Sequence, residues 1–308
     1  MGKYVVAGIS QLETIVKVDK IPIEYREITA GNDFIHTEMG GDAYNETLAL
    51  TWLGDEVKFM SVVGKEENLE FFNPNKRMVT IETDYIEKVL NDTPTSVILY
   101  SADRQEQIFE DLKDIRNAKF DMNMAIPLIA ESDMVVLGNV NFCRPLIAVA
   151  KEYKKPIAVN VHRYDEQKEE YNQEFLENAT FLYFSDDTIT GDPFDFVKSM
   201  ADKYPAEIII LGQGKDGLIM YDRKKNANLH YNSVKTNEVV NTAGAGNALF
   251  SCFLHCYCHT LDANTAIKDA ILFASYKIGY LGTSNGFMTE EQLAQWRSLI
   301  WGSATPLT

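Results

Sequence analysis

The chain has 308 residues, with 29 basic against 45 acidic side chains and a formal net charge of −16 at pH 7. Hydrophobic residues make up 45% and charged residues 24%, a balance that excludes a disordered chain and suits a globular core. So negative a chain repels phosphate-rich partners, which argues against nucleic acid and anionic membrane surfaces as its main partners; any phosphate it binds needs a local device such as a helix N-terminus or a metal ion.

No run of about 18 uncharged apolar residues is present, so no membrane span is expected. The opening MGKYVVAGIS lacks the basic, apolar, small-residue order of a secretory leader, and Val6 stands where a myristoylation signal needs Ser or Thr. Cys143 is isolated while Cys252, Cys256 and Cys258 are clustered, which is no disulfide framework, and a reducing cytoplasm is the expected compartment.

The apolar run 4–9 reads as a first buried strand. Residues 16–36 and 94–109 read as short polar–apolar alternations with turns, a small extra sheet beside the main one. In EMGGDAYNETLALTWLGDEVKFMSVVG (38–64), the pair Gly40-Gly41 opens a helix over 43–53 that ends at Gly54, before a strand over 57–63. Glycines there let the backbone approach a ligand and leave the first helical N–H groups free, and Asn45 on the first turn offers an amide. Further strands are expected at 96–100, 134–137, 157–160, 181–184 and 207–211, alternating with helices at 144–153, 194–203 and 264–281. Continuous apolar strands suit a sheet covered on both faces, so the expected fold class is α/β, a doubly wound, mainly parallel sheet with helices on both sides. The charge-rich run 164–178 reads as a solvated helix.

In VVNTAGAGNALFSCFL (239–254), a valine pair runs into Gly244-Ala245-Gly246 and then a long apolar helix. Consecutive N–H groups at such a helix start form an anion hole, favoured further by the helix dipole. Farther along that helix, Cys252, His255, Cys256, Cys258 and His259 have the look of a metal box. All of them lie on one helix, however, whereas a zinc site draws ligands from two elements, so a buried core helix is the reading adopted.

Together and in this order, these motifs resemble the ribokinase-like, PfkB-type carbohydrate kinases. The resemblance runs over nearly the whole chain: the first strand, the Gly40-Gly41…Asn45 helix, the strand to Gly64, the GQGKDG turn at 212–217, and the GAG helix. It implies a single domain over 1–308 with a Rossmann-like core and a β lid from about 11–38 and 92–112. It also implies ATP with Mg²⁺ as the phosphoryl donor and a sugar or sugar-like alcohol as acceptor. Lid edges in such kinases often pair, so a homodimer through the lid is a further expectation. Carried onto this sequence, Gly244, Ala245 and Gly246 form the anion hole. Glu13, Gly41 and Asn45 face the sugar, and Gly214, Gly217 and Ser275 lie on the nucleotide side.

The chain departs from the family pattern where catalysis should lie. Asp-Thr-Thr-Gly-Ala-Gly-Asp reads here Asn241-Thr242-Ala243-Gly244-Ala245-Gly246-Asn247, so the base position is Asn247. An amide can hold a hydroxyl but cannot take its proton, and general-base help is worth about 10²–10⁴ in rate, so impaired turnover is expected. The family's Asn-x-x-Glu, which organises the metal's water shell, falls on Ser185 and Thr188. Adjacent Asp186 and Asp187 are the candidate Mg²⁺ carboxylates, and they read equally as charges at a helix start. Asn160 replaces another family carboxylate. Glu13 is one methylene longer than the usual Asp. Asp42 stands where a Lys often follows the glycine pair; it could bind acceptor hydroxyls or a cationic substituent, or simply start a helix. Two functions remain: a carbohydrate kinase with a weakened centre, or a pseudokinase that binds a sugar or nucleotide as a regulator.

Overall fold

The computed structural model describes residues 1–73, 79–101, 105–165 and 169–302. The apolar run at the start becomes β1 (Lys3–Ala7). Its side chains alternate, as strand geometry requires: Tyr4 and Val6 enter one core, Val5 and Ala7 the other. Next come β2 (Gln11–Val18), β3 (Ile35–Gly40), α1 (Asp42–Trp52), β4 (Glu56–Gly64), β5 (Ile86–Leu90), β6 (Thr95–Ser101) and β7 (Glu106–Asp111). The chain then alternates through α2 (Met122–Glu131), β8 (Met134–Gly138), α3 (Arg144–Glu152), β9 (Ile157–Arg163), α4 (Glu169–Asn178), β10 (Phe181–Ser185), α5 (Pro193–Lys203) and β11 (Ile208–Gly212). A hairpin of β12 (Leu218–Asp222) and β13 (Ala227–Tyr231) precedes the helices α6 (Ala245–Thr260), α7 (Ala263–Lys277) and α8 (Glu290–Trp301).

Nine strands form one sheet in the order β13-β12-β11-β10-β9-β8-β1-β4-β5, parallel except for the terminal hairpin. One face is covered by α1, α6, α7 and α8 and the other by α2 to α5. This is the doubly wound α/β arrangement expected from the alternating pattern. A separate four-stranded sheet, β3-β2-β6-β7, stands over the ends of the parallel strands. Its apolar residues Ile15, Ile98 and Tyr100 pack on Ala243, just ahead of α6. Among the described residues no helix is long and apolar enough to cross a membrane.

Several elements differ from expectation. The helix expected over 264–281 stops at Lys277, because the chain turns through Gly279 and Gly282 (φ 94°) and folds back on the start of α6. α2 escapes the periodicity reading because Pro127 lies inside it and removes one N–H donor. α8 was readable: Thr289 and Gln292 form a reciprocal capping box. Part of the charge-rich run 164–178 lies outside the described residues; residues 169–178 of it form α4, which buries Asn172, Phe175 and Leu176.

Of the cluster on α6, Cys252, His255 and Cys256 are core, whereas Cys258 is half-buried and His259 is exposed. Cys252 and Cys256 are buried. His255 donates from Nδ1 to Asp55 Oδ2 (2.7 Å) and from Nε2 to Glu290 Oε2 (3.1 Å), while the Gly2 N–H donates to Asp55 Oδ1 (2.8 Å). Burial opposes the charged ring, but the bonds to Asp55 and Glu290 outweigh it and push its pKa up to about 10. The ligand atoms of Asp55, His255 and His259 lie within 4.8 Å of one another. The imidazolium is nonetheless held as an ion pair that ties the chain start to α6 and α8.

Candidate active site

α1 and α6 pack against each other, and their N-termini meet beneath the small sheet. Both starts require glycine. Gly41 has φ 96°, and a Cβ there would lie 2.7 Å from Ile9 O; Gly244 has φ 77°, and a Cβ there would lie 2.8 Å from Thr283 O. Neither helix start is capped by a side chain at its N-cap. Ala245 N–H donates to Thr242 O (3.1 Å), whereas the N–H groups of Gly246 and Asn247 have no partner among the described residues. Two unspent donors at the positive end of a long helix suit an anion. A side chain at 246 would close it, since a Cβ there would sit 2.7 Å from Tyr183 Oη.

Asn247 belongs to a directed chain of polar groups. β9 bulges at Val161 against β10, and His162 adopts φ 57°, so its N–H turns back to Asn160 Oδ1 (3.0 Å). That bond fixes which end of the Asn160 amide is oxygen. Its Nδ2 then donates to Asn247 Oδ1 (2.8 Å) and Glu46 Oε1 (2.9 Å). Asn247 in turn donates from Nδ2 to Asp42 Oδ1 (3.0 Å). Asp42, Asn45 and Glu46 share one face of α1, at i, i+3 and i+4. Asn45 is buried, and its Oδ1 has no partner among the described residues. Glu46 is buried too; desolvation and the nearby Asp42 raise its pKa to about 8, against the lowering bond from Asn160. The sequence reading missed Glu46, although its position one turn beyond Asp42 was the available signal.

The other candidate residues take definite places around this centre. Glu13 is buried and accepts from Gly41 N–H and Gln11 Nε2 (both 3.0 Å), with Thr283 Oγ1 donating to its other oxygen. Burial raises its pKa, and the Gln11 and Thr283 bonds pull it back down. Neighbouring Glu38 accepts from the Thr283 N–H (2.6 Å) and Asn285 Nδ2 (2.7 Å), so the small sheet is fastened to the segment after α7. Lys277 is fully buried, and its ammonium donates to Ala243 O (2.5 Å) and to Gly282 O, bracing the Gly244 turn from behind. Desolvation lowers its pKa to about 8, despite the nearby charges of Glu38, Glu106 and Glu13. Neither Glu38 nor Lys277 was singled out from sequence, because their partners lie in distant elements.

On the far side, Gly214 and Gly217 flank a tight turn after β11, and Gly217 (φ 92°) has room for no side chain against Tyr231 O. Tyr183 Oη lies against both Gly212 and Gly246, which brings this turn beside the α6 start. Ser275 Oγ donates to Val234 O (2.8 Å) and accepts from Thr236 N–H (3.1 Å), holding the strand-to-helix connection. Asp186 and Asp187 form a short turn after β10. Burial first, then the charge of Asp187, raises the pKa of Asp186. Ser185 Oγ donates to Asp187 Oδ2 (2.8 Å). Asp187 Oδ2 also lies 3.9 Å from Arg163 Nε, and as hard oxygen donors the two carboxylates suit a magnesium ion.

A profile of the pfkB family of carbohydrate kinases matches residues 1–290. The chain is 24% identical over 314 residues to a deoxyribokinase of Salmonella typhi, covering 96% of this chain and 98% of that one. Its fold matches the microbiome-derived acarbose kinase Mak1 with a TM-score of 0.82 at 19% identity, over 96% and 98% of the two chains. It also matches the Arabidopsis thaliana ribokinase solved with ribose and ATP, with a TM-score of 0.77 at 15% identity and the same coverage.

Proposed function

The chain belongs to the pfkB family of carbohydrate kinases, and from that premise we propose that it transfers the γ-phosphoryl group of ATP to a hydroxyl of a sugar or sugar-like alcohol. The observation that carries this reading is the open start of α6, whose unpartnered N–H groups at Gly246 and Asn247 lie beside the Asp42–Asn247 hydrogen bond. Phosphoryl transfer asks little covalent chemistry of a protein; it needs aligned reactants and stabilised charge.

In this reading the two N–H groups take charge that develops on the transferring phosphoryl oxygens. The acceptor lies under the small sheet, where Asn45 Oδ1 stands ready to accept from one of its hydroxyls. The turn carrying Gly214 and Gly217 lets the nucleotide approach the backbone closely. Asp186 and Asp187 would hold magnesium, which when bound neutralises charge on the β- and γ-phosphates. With an amide at 247 in place of the usual acid, that side chain can hold a hydroxyl but cannot take its proton.

Calorimetric titration of ATP into the protein, with and without Mg²⁺, tests the donor side. Metal-dependent saturable binding is the expected result. Absence of binding in both titrations would instead favour a pseudokinase that keeps the fold and has given up the nucleotide.

A further inference from the structure

The carboxylate absent at position 247 stands one hydrogen bond away, on α1. We propose, resting on the kinase reading above, that Asp42 is the general base that takes the acceptor's proton.

Three observations support the assignment. First, Asp42 Oδ1 is 3.0 Å from Asn247 Nδ2, so a carboxylate lies one hydrogen bond away from the place where a base at 247 would sit. Second, the direction of that bond is set from behind. The His162 N–H fixes Asn160, Asn160 fixes Asn247, and Asn247 can then only present N–H to Asp42. Asn247 thus positions the carboxylate, and Asp42 Oδ2 has no partner among the described residues. Third, Asp42 is only half-buried, so a proton it receives can pass to solvent. Behind it Glu46 is buried and held by Asn160, away from any acceptor. The sequence shows the same exchange. An acid stands where a base commonly follows the glycine pair, and an amide stands where the acid is usual.

The step balances without any further reactant. The acceptor hydroxyl oxygen forms a bond to the γ-phosphorus, and its proton goes to Asp42 Oδ2. The bond from the γ-phosphorus to the β,γ-bridging oxygen breaks, and ADP leaves with the electron pair. Asp42 then releases the proton to water.

This assignment makes Asn247→Asp a poor repair. That change would place two carboxylates about 3 Å apart where an N–H···O bond now holds, and one of them would have to keep a proton. The test is ADP release by the wild type, Asp42→Asn, Asn247→Asp and the double Asp42→Asn/Asn247→Asp. Each is assayed with Mg-ATP and ribose, 2-deoxyribose, a fructosamine or inosine, and unfolding midpoints are recorded for all four. Asp42→Asn should lower kcat by about 10²–10⁴, with a smaller change in KM. Asn247→Asp should be slower than wild type, and the double variant should recover to within about tenfold of it, because the single carboxylate has only moved across the hydrogen bond. Asp42→Asn turnover within threefold of wild type would overturn the proposal, as would Asn247→Asp exceeding wild type. A folded wild type that releases no ADP with any acceptor would instead overturn the kinase reading, and the proposal with it.

Discussion

Lys277→Met should lower phosphoryl transfer by a hundredfold or more and should lose stability relative to wild type as pH rises above about 8. Methionine keeps the length and the apolar packing of the stem but removes the ammonium that donates to Ala243 O and Gly282 O. Each buried carbonyl left without a partner costs about 1–3 kcal/mol. The turn concerned contains Gly244, which already has φ 77° and is pressed against Thr283 O, so it cannot be repaired by a small local shift. Misplacing the α6 N–H groups by a fraction of an ångström suffices for a large rate loss, because positioning is most of the catalysis. The pH dependence has a definite sign. The Lys277 pKa falls from 10.5 unfolded to about 8 folded, so the folded state binds fewer protons between those values. The advantage of wild type over Lys277→Met should therefore grow as pH rises from about 8 to 10.5. Urea unfolding of both proteins at pH 7 and 10 measures it, and equal midpoints would contradict this role.

Glu46→Gln should stabilise the protein, by about 3–5 kcal/mol at pH 9 and progressively less towards pH 4.5. Glu46 has a folded pKa of about 8 against 4.5 for the free side chain, owing to burial and to Asp42. A carboxylic acid whose pKa is raised on folding stabilises the fold only while protonated, so that support is lost as pH rises through 8. Glutamine keeps the oxygen that accepts from Asn160 Nδ2 and carries no charge at any pH. Unfolding free energies of both proteins at pH 5, 7 and 9 should diverge steadily. Parallel curves would show that Glu46 ionises freely and that the polar chain behind Asn247 is solvated.

The α/β architecture was legible because alternation between apolar runs and helical patterns is a local signal. So were the two glycine-marked helix starts, since Gly41 and Gly244 hold backbone angles that favour glycine. The centre they build was only partly legible. Asp42, Asn45 and Asn247 could be nominated singly, but the bond from Asn247 to Asp42 spans 205 residues and the bond from Asn160 to Asn247 spans 87. No spacing rule reaches that far. Glu46 and Lys277 are ordinary charged residues within helical runs. They matter because folding strips them of water, and burial is a property of the packed chain. The orientation of the Asn247 amide depends on a bulge at Val161 and a left-handed residue at His162, neither of which has a composition signal. Read from sequence, Asn247 is a lost base; in the folded chain it is the donor that holds Asp42 in place.

The most direct test is a steady-state assay of the unmodified protein with Mg-ATP and the acceptors named above, following ADP and the phosphorylated product together. The account predicts stoichiometric formation of ADP and a sugar or nucleoside phosphate with at least one of them, saturable in both substrates. ADP without a phosphorylated acceptor, or no turnover by protein that is folded, would contradict it.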